Sequence, residues 1–187
     1  KQGTVIENLT REVMEYITNI NTGEPSGSVN ENQFSLIFIT RHLQEICLLI
    51  IKDMVYFEEK RIKGGYQFTK ESLKELKDVY QDVCNNFNNA VGAFALKDKR
   101  IARKVLERQT NYSFSEAEAK TKHIERLAKG LEKSYMNSEI YLSLINVFER
   151  INSFSVAMAK TIDDLKESAG MLKQSDESTD HKIVLGN

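Results

Sequence analysis

Proline is nearly missing from this chain: Pro25 is the only one in 187 residues. An interior proline removes a backbone donor and clashes with the preceding turn, so its scarcity leaves almost every stretch free to be helical. Cysteine is just as scarce. Cys47 and Cys84 both fall on apolar-periodic stretches, which favours buried reduced thiols over a disulfide framework and suits a cytoplasmic compartment. An excess of one charge sign is also lacking. The formal net charge is -1, so no overall field draws the chain to nucleic acid or anionic lipid. No signal-peptide pattern is visible. The longest apolar run, Ile46-Cys-Leu-Leu-Ile-Ile51, stops at Lys52 and Asp53, far short of the roughly 20 residues that span a bilayer. The first residue is Lys1 rather than methionine, from which a processed or excised piece of a longer polypeptide is expected.

What is present is ordinary for a globular domain: 41% hydrophobic and 28% charged residues. The length supports one substantial core or two small ones. A 3.6-residue apolar period marks five helical stretches, at about residues 5–20, 31–63, 70–96, 98–135 and 138–173. Ile6, Leu9, Val13 and Ile17 make the stripe of the first. Leu36, Ile39, Leu43, Ile46, Ile50 and Phe57 make the seam of the second, which Gly64-Gly65 ends. Thr69 is a good N-cap for the third. The fourth is expected to break near Asn111-Tyr-Ser-Phe, where Ser115 and Glu118 form a capping-box pair. Asn21-Thr-Gly-Glu-Pro-Ser-Gly-Ser28 is the one plain loop, and the chain turns polar from Gln174. No segment alternates as a strand would, so the fold class is all-α, a bundle of about five long helices. Long seams point to packing at about 20°.

The chain also repeats itself. Leu43-Gln-Glu-Ile46 recurs as Phe148-Glu-Arg-Ile151, and aligning Ile46 with Ile151, 105 residues apart, superposes Leu36 on Tyr141, Ile39 on Leu144 and Phe57 on Ile162. Ile6-Glu-Asn-Leu9 resembles Ile124-Glu-Arg-Leu127 at a spacing of 118. Helices one and two thus repeat as four and five. The pattern is two three-helix repeats with the first helix of the first repeat missing. The bundle is placed at residues 1–173, with repeat one at 1–63, repeat two at 69–173, and a polar tail at 174–187.

Chemistry finds little footing. Ferritin-like sites need Glu-x-x-His, because i and i+3 project together, and none of His42, His123 and His181 has a glutamate three residues before it. Zinc spacing, a nucleophile elbow and a phosphate-cradling glycine loop are likewise missing. Gly64-Gly65 reads as a helix stop. Lys97, Lys99, Arg100, Arg103 and Lys104 form a basic cluster, either a solvated helix face or a seat for an anionic partner. Asp53 interrupts the second seam, where a rim position is expected because an unpaired buried carboxylate is costly.

With these residues in view the chain resembles PhoU-like proteins. The nearest likeness is to the C-terminal cytosolic domain of bacterial sodium/phosphate cotransporter-family proteins. The matching pieces are Val5-Ile-Glu-Asn-Leu-Thr-Arg-Glu-Val13 with Tyr16-Ile17, the stretch 40–46, Phe68-Thr-Lys-Glu-Ser72 and the stretch 141–159, within a span from Val5 to Ile162. The family carries a pattern close to Glu-Arg-Ile-Gly-Asp-His whose acidic residues, four apart, bind metal clusters. Here Glu149, Arg150 and Ile151 match, but Ser153 and Phe154 stand at the aspartate and histidine positions. The first copy has become Gln44-Glu45-Ile46-Cys47-Leu48. Glu45 and Glu149 are therefore remnants of a degenerate motif, and metal, cofactor and catalytic residues are all expected to be absent, since an oxygen-ligated metal needs several converging oxygens. Glu149 and Arg150 either flank the seam as ordinary charges or form an interhelical salt-bridge network or partner surface.

The resemblance implies a non-enzymatic accessory or regulatory domain of a sodium-dependent phosphate transporter, acting by protein–protein contact on the cytoplasmic side of the bacterial inner membrane. Its partner would be a membrane transporter domain, fused or docked, or a phosphate-signalling protein. Nucleic acid is not expected as a partner, and a homodimer stays open. The alternatives are a stand-alone helical scaffold or adaptor unrelated to phosphate and, third, a metal-binding regulator or enzyme of the PhoU type.

Overall fold

A computed structural model describes residues 2–19, 31–130 and 135–165. Every regular element among the described residues is helical: α1 (Gln2–Asn19), α2 (Glu31–Leu48), α3 (Val55–Lys63), α4 (Lys70–Leu96), α5 (Lys99–Ala128) and α6 (Tyr135–Asp164). A π-helical stretch, Leu49–Met54, joins α2 to α3 without a break, so the two form one rod. The polar tail 174–187, the loop after α1 and the stretch 166–173 expected to prolong the last helix lie outside the described residues.

The helix ends follow from local chemistry. Thr69 takes an extended conformation and its hydroxyl accepts from the Ser72 amide at 3.1 Å, starting α4 as an N-cap. Asp98 does the same for α5, accepting from the Arg100 amide at 2.8 Å. Between them Lys97 adopts φ 50, the left-handed region that ends a helix and that glycine usually fills. Gly65, at φ 64, allows the turn after α3. Gly130, at φ 68, comes just past Ala128, so α5 ends several residues before the expected position 135.

The break expected at Asn111 does not occur. Ser115 spends its hydroxyl on the Asn111 carbonyl one turn back, at 3.2 Å, rather than capping a new start. Tyr112, Glu116, Ala119 and His123 are buried along one face, and that continuous packing holds α5 straight through the capping signal.

α4, α5 and α6 pack together as a three-helix unit, with α6 at the centre of the molecule. Its second side receives α2 and α3, and α1 lies against α2. Ile140, Tyr141, Ile145, Met158 and Ala159 are all 0% exposed, as a helix covered on both sides requires. The seam of α2 holds as far as Ile46. Beyond it, Leu49 is 3% exposed and Ile50 is 44% exposed, so Ile50 leaves the seam. The cause is the π stretch, in which residues five apart stack. It carries the core line from Leu49 to Met54 and Phe57, both packed against the core.

Candidate functional site

Glu149 and Arg150 are neighbours on α6 with opposite assignments. The Lys120 ammonium on α5 donates to Glu149 at 3.3 Å and also pairs with Glu116. Burial pulls the Lys120 amine down, but hydrogen bonds and attraction to Glu116 and Glu149 outweigh it and hold it above the usual lysine range. Arg150 donates in the other direction, to Asp53 in the π stretch, at 3.3 Å. This two-residue segment thus ties the central helix to both its neighbours. The pairs with Glu149 and Asp53 sit near the surface, so each is worth at most about 1 kcal/mol. Asp53 is half exposed beside a cation, which accounts for a carboxylate in the middle of an apolar rod.

Glu45 is half-buried on α2, where its charge acts on His42. It shares no partner with Glu149. Among the described residues no three histidine, cysteine, aspartate or glutamate side chains converge as metal ligands would. Cys47 and Cys84 are half-buried free thiols. In the basic cluster, Lys99 donates to the Leu165 carbonyl, Arg100 to Asp98 and Arg103 to Asp163 at 2.8 Å. Lys99 and Arg103 therefore fasten the start of α5 to the end of α6, and Arg100 braces the α5 N-cap.

A largely buried polar network centred on Glu75 was not visible from the sequence pattern. Arg126 makes a bidentate pair with Glu75 across α5 and α4, at 2.8 and 2.7 Å, and reaches the Ser72 hydroxyl at 3.1 Å. The Tyr141 hydroxyl donates to the same Glu75 carboxylate at 3.0 Å, and the His123 ring stacks on Tyr141 with centroids 4.1 Å apart. Burial first, and Glu75 second, push the Tyr141 phenol well above its ordinary range, so it remains a donor. Lower in the same unit Asn86 donates to Asn152 at 2.8 Å in the interior. His123 and Arg126, three apart on α5, share a helix face, while Ile124 between them is exposed.

A cleft between α4 and α5 continues outward from that asparagine pair. Its lining is Asp82, Asn85 and Asn86 from α4 and Arg108, Asn111 and Tyr112 from α5, around a volume of about 340 Å³. Each trio is spaced i, i+3, i+4, the spacing that puts three side chains on one helix face.

Apolar side chains also remain uncovered on the outer hairpin. Val5, Leu9 and Tyr16 form one stripe of α1 and are more than half exposed, as is Phe34 on α2. By length and composition the Asn32–Lys63 rod could cross a membrane, with a mean hydropathy of 1.6 over its most apolar window. A core helix of a helical bundle meets the same criterion. The rod nevertheless packs on α6 and α1, with Arg41, His42 and Glu45 at mid-length, where a bilayer would penalise them by a few kcal/mol each.

No family model matches the chain, and no solved structure matches it. Among curated proteins it is similar to the "Putative inorganic phosphate export protein YjbB" of Salmonella typhimurium, with 20% identity over 147 residues, or 79% of this chain and 27% of that protein. The protein of the same description from Escherichia coli K12 is 23% identical over 104 residues, or 56% of this chain and 19% of that protein. The chain therefore spans about a quarter of the length of the curated relatives it matches, and the similarity is distant.

Proposed function

We propose that this all-helical chain is a non-enzymatic accessory or regulatory domain of a phosphate-transporting membrane protein, built on the PhoU-like plan and working at the cytoplasmic face of the bacterial inner membrane. The observation that carries this is the similarity to a phosphate export protein about four times the length of the matched segment. The uncovered α1 stripe of Val5, Leu9 and Tyr16 supports a role by contact. That stripe is the surface through which the domain meets the membrane-embedded part of the longer protein. Sodium dependence of the transport belongs to the same proposal.

The test is phosphate flux in cells that carry the longer protein with and without this domain. Altered flux, or altered response of flux to external phosphate, is expected on deletion, and Leu9→Asp should reproduce part of it. Unchanged flux and unchanged response would refute the assignment and leave the stand-alone scaffold in its place.

A further inference from the structure

The cleft between α4 and α5 has a chemistry that the contact role does not use. Tyr112 is 4% exposed, lines the cleft, and its hydroxyl has no hydrogen-bond partner among the described residues. A buried phenol without a partner costs about 1–3 kcal/mol, so a group that the structure does not contain is expected to accept from it. Burial, and then the charges of Glu116, Glu149 and Asp82, raise the Tyr112 phenol, which keeps it an O–H donor. Around it stand the amides of Asn85 and Asn111 and the guanidinium of Arg108, none of which makes a side-chain hydrogen bond among the described residues. Asp82 lies at the Tyr112 end of the cleft, away from Arg108, since α4 and α5 run antiparallel.

We propose that this cleft binds a partly protonated phosphoryl group. This rests on the phosphate-related function proposed above and names the ligand that the domain would sense. The donors Arg108, Tyr112, Asn85 and Asn111 take the oxyanion, with the guanidinium supplying the charge-assisted bonds that planar oxyanion recognition favours. Asp82 has the opposite task. Phosphate near neutral pH keeps a P–O–H group, which needs an acceptor, whereas sulfate has none. A carboxylate at one end of an otherwise donor-lined cleft therefore accepts phosphate and repels sulfate, a case of specificity built from a repulsive element. Free phosphate and the phosphate ester of a small polyol share this chemistry.

The experiment is a calorimetric and NMR titration of the 187-residue chain with inorganic phosphate, glycerol 3-phosphate and sulfate. Saturable phosphate binding is expected, with sulfate at least about tenfold weaker; Arg108→Gln should weaken phosphate by about tenfold or more. Tyr112→Phe should weaken it while leaving the thermal midpoint unchanged or higher, because it deletes an unpartnered buried hydroxyl. Asp82→Asn should narrow or reverse the preference over sulfate. Tighter binding of glycerol 3-phosphate than of phosphate assigns the ester as the source. Absence of saturable binding, equal binding of sulfate, or an Arg108→Gln variant that binds as well as the wild type would overturn the site. If domain deletion alters flux while the purified chain binds no phosphoryl ligand, the site falls and the accessory role stands. If the chain binds phosphate and deletion changes nothing, the reverse holds.

Discussion

Replacing Glu75 by leucine removes the carboxylate that Arg126 holds with two bonds and that Tyr141 reaches with a third. The two charged side chains are 15% and 17% exposed, so solvent screens them weakly. Breaking a buried pair by removing one partner costs about 3–5 kcal/mol; the residual exposure points to about 3 kcal/mol here. The Tyr141 hydroxyl, being 0% exposed as a residue, adds to the loss because its acceptor goes too. Arg126→Met should cost a similar amount. The double variant Glu75→Leu/Arg126→Met leaves no uncompensated charge, so it should be less destabilised than the sum of the singles by about 2 kcal/mol, as expected for residues in one network. Urea denaturation followed by circular dichroism measures this, with the slope of the transition checking that the unfolded reference is unchanged. In a chain of this size about 3 kcal/mol corresponds to roughly 6–12 °C in the thermal midpoint. Single variants costing under about 1 kcal/mol, or strict additivity in the double variant, would refute a cooperative buried network and leave the pair as surface decoration.

Two further outcomes follow from other parts of the bundle. Leu49→Ala should cost about 2–4 kcal/mol, as core truncations do, whereas Ile50→Ala should cost under about 1 kcal/mol; equal costs by denaturation would contradict the π-helical register. His42 sits edge-on to Phe38 at 4.3 Å and near Phe154 at 5.3 Å, with both ring nitrogens buried and lacking a hydrogen-bond partner among the described residues. Burial lowers its pKa below 6.5, against the opposing pull of Glu45. A histidine with a lowered folded pKa binds fewer protons than its unfolded form, so its contribution to stability is present above about pH 6.5 and is lost as pH falls through the folded value. His42→Phe should flatten the pH dependence of the thermal midpoint between about pH 5 and 7, and an unchanged slope would show that the ring does not titrate with folding.

Much of this architecture was legible in the residues and some of it was not, for physical reasons. Thr69 and the glycine pair are local signals, and the structure uses Thr69 and Gly65 where the sequence places them. The Ser115–Glu118 box is just as local and is not used, because burial of Tyr112 and Glu116 outweighs a cap worth about 1 kcal/mol. The Leu49-Ile-Ile51 run gave period analysis nothing to choose between, since all three residues are apolar and only the backbone decides which faces α6. Ile124 and Leu127 drew attention by hydropathy, while the polar His123 and Arg126 beside them turn inward to partners on α4 and α6. Glu149 and Arg150 stood out as charges beside the seam. Their partners Lys120 and Asp53 are 29 and 97 residues away, a pairing that only tertiary structure supplies. The cleft at Tyr112 was hidden for the same reason: each helix contributes three polar residues that look like an ordinary solvated face until the other helix is set against it.

The π stretch between α2 and α3 also sets how this chain can change. An α-helix turns about 100° per residue, and a π insertion is one residue of surplus, so α3 is held about 100° out of phase with the helix that leads into it. Substitutions along the rod act at single contacts. A one-residue deletion anywhere in Leu49–Met54 would act on the whole of α3 at once, bringing it back into phase and swinging Met54, Phe57 and Lys60 away from α6 together. The α1–α2 hairpin and the α3 tip are therefore free to diverge in sequence independently, provided the length of the joint between them is kept.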